Sequence, residues 1–351
     1  MISLYISMAC ASLGGVLMAV PVSLYLARRF QVVDIPDQRK VHTEPIPRWG
    51  GLAIAIGFFI GLAVLFIGSQ RFGWLLDYRH RIIIDNELIG YLSIEKQLIG
   101  IMIGSLLVLG LGMWDDKFSI GPIPKLLTQI IAAYIAMDYG VRISGIDLPF
   151  NGRYFSFPLI VSQIVTVVWI IGFMNMINLV DGLDGLASGL VVIVAGTFLI
   201  IAVFQADATQ VVLFSKQLKL AGILSAGLVG AVLAFLLFNF YPARIFMGDG
   251  GTLFLGFMLG AVTVIGTLKT AAVIAFIIPV IVVGIPAVDV VFALLRRWRG
   301  KRHLFKPDKD HIHHRLLKKG WTQREIVLLM YVITLLLSIT AILITVVKTY
   351  G

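Results

Sequence analysis

The residues best equipped for chemistry stand together in Asn178-Leu-Val-Asp181-Gly182-Leu-Asp184-Gly185. An amide and two carboxylates, each three residues from the next, fall along one slanting stripe on a helical turn. Gly182 and Gly185 carry no Cβ and let backbone or ligand approach that stripe closely. The stretch interrupts two apolar runs, 159–177 and 186–204, and carboxylates at the end of membrane-length segments are costly and mark function by default. Acids at this spacing suit a divalent metal, or a phosphate held through one. A polar helix cap is the plain alternative, and it explains one Asp-Gly more easily than two.

Four further polar motifs punctuate the chain. Asp34-Ile-Pro-Asp37-Gln-Arg39-Lys40-Val-His42 runs on to Pro47-Arg48-Trp-Gly50-Gly51, a loop shaped by its prolines and glycines that keeps basic groups, Lys40 and Arg48 among them, near the membrane. Trp114-Asp115-Asp116-Lys117 offers adjacent acids that can share a metal or orient a phosphate, although acid pairs also cap helices. Met247-Gly-Asp249-Gly-Gly-Thr252 opens an apolar run, where backbone N–H groups face an anion and Asp249 suits a bridging cation. No Gly-Lys-Ser/Thr follows, which excludes a Walker-type loop. His311-Ile-His313-His314-Arg315 lies among Lys306, Lys309, Lys318 and Lys319. Three histidines invite zinc, but no cysteine is near, and so cationic a setting suits a phosphate-rich ligand better. A basic loop lying on anionic lipid is the plain reading of that segment.

The elements that must position these groups are membrane helices. Hydrophobic residues make up 59% of the 351 and charged ones only 14%, and repeated runs approach the roughly 20 residues that cross hydrocarbon. Hydropathy predicts about ten spans: 4–26, 49–69, 97–113, 123–140, 158–177, 186–205, 218–238, 251–268, 271–295 and 325–347. The first is expected to be a retained anchor with its amino end outside, since no basic stretch precedes it and Arg28 and Arg29 follow. Alternation puts nineteen of the 29 Lys and Arg on one side, counting Lys125 with the connection before its span, and ten on the other. The richer side is the cytoplasmic one. The net charge of +10 is thus a topology signal, and no nucleic-acid partner is expected. All five motifs fall on that same side, whereas scattered caps would fall on both. On the other side, residues 70–96 mix polar and apolar, and 141–157 alternate around Asn151-Gly152, which predicts a small β-hairpin. The single cysteine, Cys10, excludes an internal disulfide. The chain therefore reads as one all-α polytopic membrane domain over 1–351, with cytoplasmic catalytic loops and a small extracytoplasmic hairpin.

Taken together, the motifs resemble those of the polyprenyl-phosphate N-acetylhexosamine-1-phosphate transferases, from Asp34 to Leu316. His311-Ile-His313-His314-Arg315-Leu316 is similar to the branch that transfers N-acetylglucosamine 1-phosphate for teichoic acids, O-antigen and related glycans. The peptidoglycan branch, which transfers phospho-MurNAc-pentapeptide, has a proline-containing histidine motif and a longer loop before its Gly-Gly. The resemblance implies a bacterial plasma-membrane enzyme with its active site on the cytoplasmic face. Its substrates would be a UDP-N-acetylhexosamine and undecaprenyl (polyprenyl) phosphate, its cofactor Mg²⁺ or Mn²⁺ in its place, and its surroundings membrane lipid. A homodimer is compatible with it.

Transfer between two anions rests on charge neutralisation and in-line positioning. Asp249 is the first choice of metal ligand, with Asp115 beside it. Asp181, Asp184 and Asn178 would shape the surroundings of that metal, and Asp115 or Asp116 would orient the nucleophile. His311, His313, His314 and Arg315, with Lys40 and Arg48, would hold phosphates. A phosphate monoester with a second pKa near ~6 is already largely ionised at neutrality, so direct attack is favoured over an aspartyl-phosphate intermediate. A transporter would place its acids mid-span in repeated halves, whereas here they gather at one face, Asp289 apart. A CDP-alcohol phosphotransferase would show Asp-Gly-x-x-Ala-Arg, and here Ala187 is followed by Ser188.

Overall fold

The computed structural model describes residues 1–35, 44–84, 87–147, 154–266 and 321–350. Lys40, the expected span at 271–295, and His311, His313, His314 and Arg315 lie outside the described residues. The elements, in order, are α1 (Ile2–Arg29), β1 (Val33–Asp34), β2 (Ile46–Pro47), α2 (Gly50–Gly68), α3 (Gln70–Leu76), β3 (Arg79–Ile84), β4 (Glu87–Ser93), α4 (Ile94–Phe118), α5 (Pro122–Asp138), β5 (Gly145–Asp147), β6 (Tyr154–Ser156), α6 (Leu159–Val180), α7 (Leu186–Ala208), α8 (Val212–Asn239), α9 (Gly248–Gly266) and α10 (Gln323–Tyr350).

Among the described residues eight helices are long and apolar enough to cross a membrane: α1, α2, α4, α6, α7, α8, α9 and α10. The protein is an all-α polytopic membrane protein, since helices satisfy their own backbone in lipid where an open sheet cannot. The fourth expected span is α5, which at 17 residues is slightly shorter than these eight.

At the centre stands α9. Every one of its residues except Asp249 is buried, the condition of a helix that is apolar all round and enclosed by others. It packs against α2, α4, α6 and α8, while α1 packs on α2 and α8, and α7 on α8 and α10. Close approach is bought by missing side chains: a Cβ at Gly51 of α2 would collide with the backbone of Gly251, and one at Gly112 of α4 with the backbone of Gly250.

Polar residues ride on helices that outlast their apolar runs. The run at 97–113 becomes α4 over Ile94–Phe118, so Asp115 and Asp116 occupy its last turns and not the connection expected at 114–122. Likewise Asn178 is still helical in α6, and Asp249 is the second residue of α9. Hydropathy measures contact with hydrocarbon, whereas backbone hydrogen bonding continues past it.

The expected hairpin is β5–β6, with Gly145 opposite Ser156 and Asp147 opposite Tyr154. A second antiparallel pair, β3–β4, joins Arg79 to Ser93 and Ile84 to Glu87 within the region that mixed polar and apolar. The short β1–β2 pair aligns Asp34 with Ile46.

Candidate active site

The ends of α4, α5, α6 and α9 meet at one end of the bundle. Pro122 starts α5 four residues after α4 ends at Phe118, its fixed φ suited to a first helical position. The resulting helical hairpin folds Lys125 back beside Asp115, and Lys125 Nζ donates to Asp115 Oδ2 at 2.9 Å. The same ammonium donates to Asp249 Oδ2 of α9. Two carboxylates from two helices thus converge on one cation, their side chains 11% and 19% exposed. Like charges this close repel unless a cation lies between them.

Asn178 of α6 supplies the other side. Its Nδ2 donates to Asp249 Oδ1 at 2.9 Å and to Thr252 Oγ1 at 2.9 Å, which orients the Asp249 carboxylate. Asp249 sits in the first turn of α9, where the helix dipole favours a negative charge. Asp115 sits in the last turns of α4, where the dipole disfavours one, so its placement serves something other than helix stability.

Asp116 is otherwise employed. Its side chain is 1% exposed, its Oδ1 accepts the Asp249 backbone N–H at 2.9 Å, and its Oδ2 accepts that of Gly250 at 3.3 Å. The anion expected at the start of α9 is therefore the protein's own carboxylate. Arg48 stands 3.6 Å from both Asp116 and Asp34. It is held there because Phe246 N–H donates to Pro47 O at 2.8 Å and Gly51 N–H to Met247 O at 2.8 Å. Gly248, at φ +70°, fits this junction because a Cβ would strike the Arg48 carbonyl.

The stripe expected along Asn178, Asp181 and Asp184 is broken. Helix α6 ends at Val180, residues 181–185 turn, and Gly185 at φ +78° opens α7. Asp184 consequently faces another partner, accepting the Ala243 N–H at 2.9 Å. Asp181 lies in the turn, outside the spans, with its pKa raised to about 7. Burial is the main cause; the charges of Asp249, Asp116 and Asp184 add to it and Arg48 opposes it.

Of the expected site residues, Asn178, Asp115, Asp116, Asp249 and Arg48 form one connected network, and Asp184 joins the segment leading to Asp249. Sequence reasoning missed Lys125. A lone cation inside the expected span 123–140 was its signal, since intramembrane charge asks for a partner. Among the described residues no three or more His, Cys, Asp or Glu gather as metal ligands do. The donor set still fits Mg²⁺, which takes one or two carboxylates and completes its shell with water and phosphate oxygens. Asp249 and Asp115 already share a cation, in the form of the Lys125 ammonium.

A bundle of membrane-length helices that gathers acids from α4, α9 and the turn after α6 at one end, with Asn178 of α6 among them, defines a polytopic membrane protein with a polar site at one membrane face. Comparison with known proteins narrows this class. The model of glycosyl transferase family 4 matches residues 98–267. The chain is 35% identical over 331 residues to the probable undecaprenyl-phosphate N-acetylglucosaminyl 1-phosphate transferase of Bacillus subtilis (strain 168), covering 94% of this chain and 82% of that one. It is 33% identical over 322 residues to the decaprenyl-phosphate N-acetylglucosaminephosphotransferase of Mycobacterium leprae (strain TN), covering 87% and 75%. A phospho-N-acetylmuramoyl-pentapeptide-transferase of Bartonella quintana (strain Toulouse) is 37% identical over 224 residues, but covers only 61% and 59%. The chain belongs to the polyprenyl-phosphate N-acetylhexosamine-1-phosphate transferase family, in the branch of the first two.

Proposed function

We propose that the protein transfers N-acetylglucosamine 1-phosphate from UDP-N-acetylglucosamine to undecaprenyl or another polyprenyl phosphate, releasing UMP. The observation that carries the reading is the pairing of Asp115 and Asp249 across one cation at the end of an otherwise apolar bundle. Such a site can serve a soluble anion and a lipid-borne one together. A lipid phosphate oxygen attacks the sugar-bearing phosphorus, a new P–O bond forms, and the bond from that phosphorus to the bridging oxygen breaks. UMP leaves with the bridging oxygen, and the lipid phosphate, already ionised, needs no base.

Asp249 and Asp115 would hold Mg²⁺, which when bound supplies Lewis-acid stabilisation of the diphosphate oxygens. Asn178 keeps Asp249 turned toward Asp115. An ammonium has three donors and Lys125 gives one to each of two carboxylates, which leaves the third for a phosphate oxygen. Asp116 and Arg48 organise the start of α9, and Arg48, part-exposed beside it, is also proposed to meet a phosphate. Lys40, His311, His313, His314 and Arg315 are proposed as phosphate ligands, in keeping with their charge. The site faces the cytoplasm of a bacterium in this reading, and the product begins a cell-envelope glycan such as teichoic acid or O-antigen.

The test is UMP release by purified protein offered a panel of UDP-sugars, with and without polyprenyl phosphate, in Mg²⁺. UDP-N-acetylglucosamine should support release that depends on the lipid. Release with UDP-MurNAc-pentapeptide alone would move the protein to the peptidoglycan branch, and release with no donor would overturn the reading.

A further inference from the structure

The last helix grips the acidic turn at a point to which neither the motifs nor the relatives assign a role. Tyr331 of α10 donates its hydroxyl to the Gly185 carbonyl at 2.5 Å. That carbonyl also accepts the Gly189 N–H at 2.9 Å and so starts α7. Gly189 makes room for the ring: a Cβ there would collide with the phenol of Tyr331. Seven residues earlier on α10, and hence on the same face, Arg324 donates to the Tyr241 carbonyl at 3.3 Å and lies over the Tyr241 ring at 5.5 Å. These two carbonyls belong to the two segments that Asp184 joins through Ala243. Helix α10, the 181–185 turn and the 240–247 segment therefore close a triangle. One corner carries Asp181 and Asp184, and another leads directly into Asp249.

We propose that Tyr331 is a positioning residue for the transfer reaction, holding the Asp181–Asp184 turn in register with Asp249 through the Gly185 carbonyl. The proposal rests on the transferase reading above for its kinetic consequences and on geometry alone for its structural one. Without the hydroxyl the turn keeps its own α7 hydrogen bond but loses its outside anchor. Its two acids then drift relative to Asp249, while the bulk of α10 stays packed on α7.

Tyr331→Phe keeps the ring in its notch and removes only the donor. In purified full-length protein it should lower kcat for UMP release about tenfold, leave KM for UDP-N-acetylglucosamine and the melting temperature little changed, and speed amide exchange in 181–189. Gly189→Ala, which expels the ring tip while keeping Tyr331, should give the same kcat, and the double variant should lose no more than either single one. Unchanged kcat and unchanged exchange in Tyr331→Phe would overturn the proposal. So would a loss of activity that follows the melting temperature and returns on cooling, because the tyrosine would then be merely structural. If wild-type protein releases no UMP, the transferase reading fails instead, and exchange in 181–189 still decides whether Tyr331 holds the turn.

Discussion

Lys125 is a single positive charge between two carboxylates, and this makes its removal diagnostic. Lys125→Met should leave Asp115 and Asp249 facing each other uncompensated and lower turnover by about 10²-fold. A divalent cation should then raise the variant's melting temperature more than it raises that of wild type; equal shifts would show that the cation binds elsewhere. Asp249→Asn should reduce UMP release to background while the protein still elutes as a folded species, and near-normal release at ordinary Mg²⁺ would sink the metal assignment. Asp181 sets a pH dependence. Its folded pKa of about 7 lies above the usual carboxylate value of about 3.9. From about pH 4 to about 7 the folded, metal-free protein therefore keeps a proton that the unfolded chain has released. This group's contribution to stability is full at low pH and declines as pH rises through that window. A cation bound nearby favours the carboxylate and expels the proton. Cation affinity should accordingly rise with pH up to about 7 and then level off, and Asp181→Asn should flatten that rise in calorimetric titrations.

At the scale of elements, the register of α2, α4 and α9 depends on glycine contacts. Gly51→Ala and Gly112→Ala each force a methyl group into the α9 backbone and should destabilise by about 1–3 kcal/mol or more. Gly110→Ala, on the same α4 but with nothing within 4 Å of its Cβ, is the control and should melt like wild type. These helices were legible because each needs a long apolar run, and β5–β6 because Asn151-Gly152 sits between alternating residues. The β3–β4 pair was not, since Arg79-His-Arg and Glu87 dilute the alternation and the register shifts between Ile82 and Ile83. The five motifs were readable as residue types. Their division of labour was not: that Asp116 caps α9 while its neighbour Asp115 meets Lys125 depends on which way two adjacent helical side chains point. Lys125 itself escaped because the hairpin that folds it back onto Asp115 and the 124 residues that separate it from Asp249 are both set by tertiary packing.

For the whole molecule, the gathering of polar groups at one end makes sidedness the decisive property. In a chain whose Cys10 has been replaced, Arg244→Cys in the 240–247 segment should be shielded from impermeant thiol reagents in intact cells, whereas Asp77→Cys, at the opposite end between α3 and β3, should be labelled. Labelling of both from outside would invert the proposed topology. The junction of Gly51 and Gly112 with Gly250 and Gly251 has a mechanical corollary. Where main chain rests on main chain, no rotamer can flip and no side chain can yield, so those three helices form the stationary jaw of a vice. Any adjustment to a bound substrate is thus left to the opposing jaw, where the long, four-carbon arm of Lys125 reaches across from α5 to Asp249.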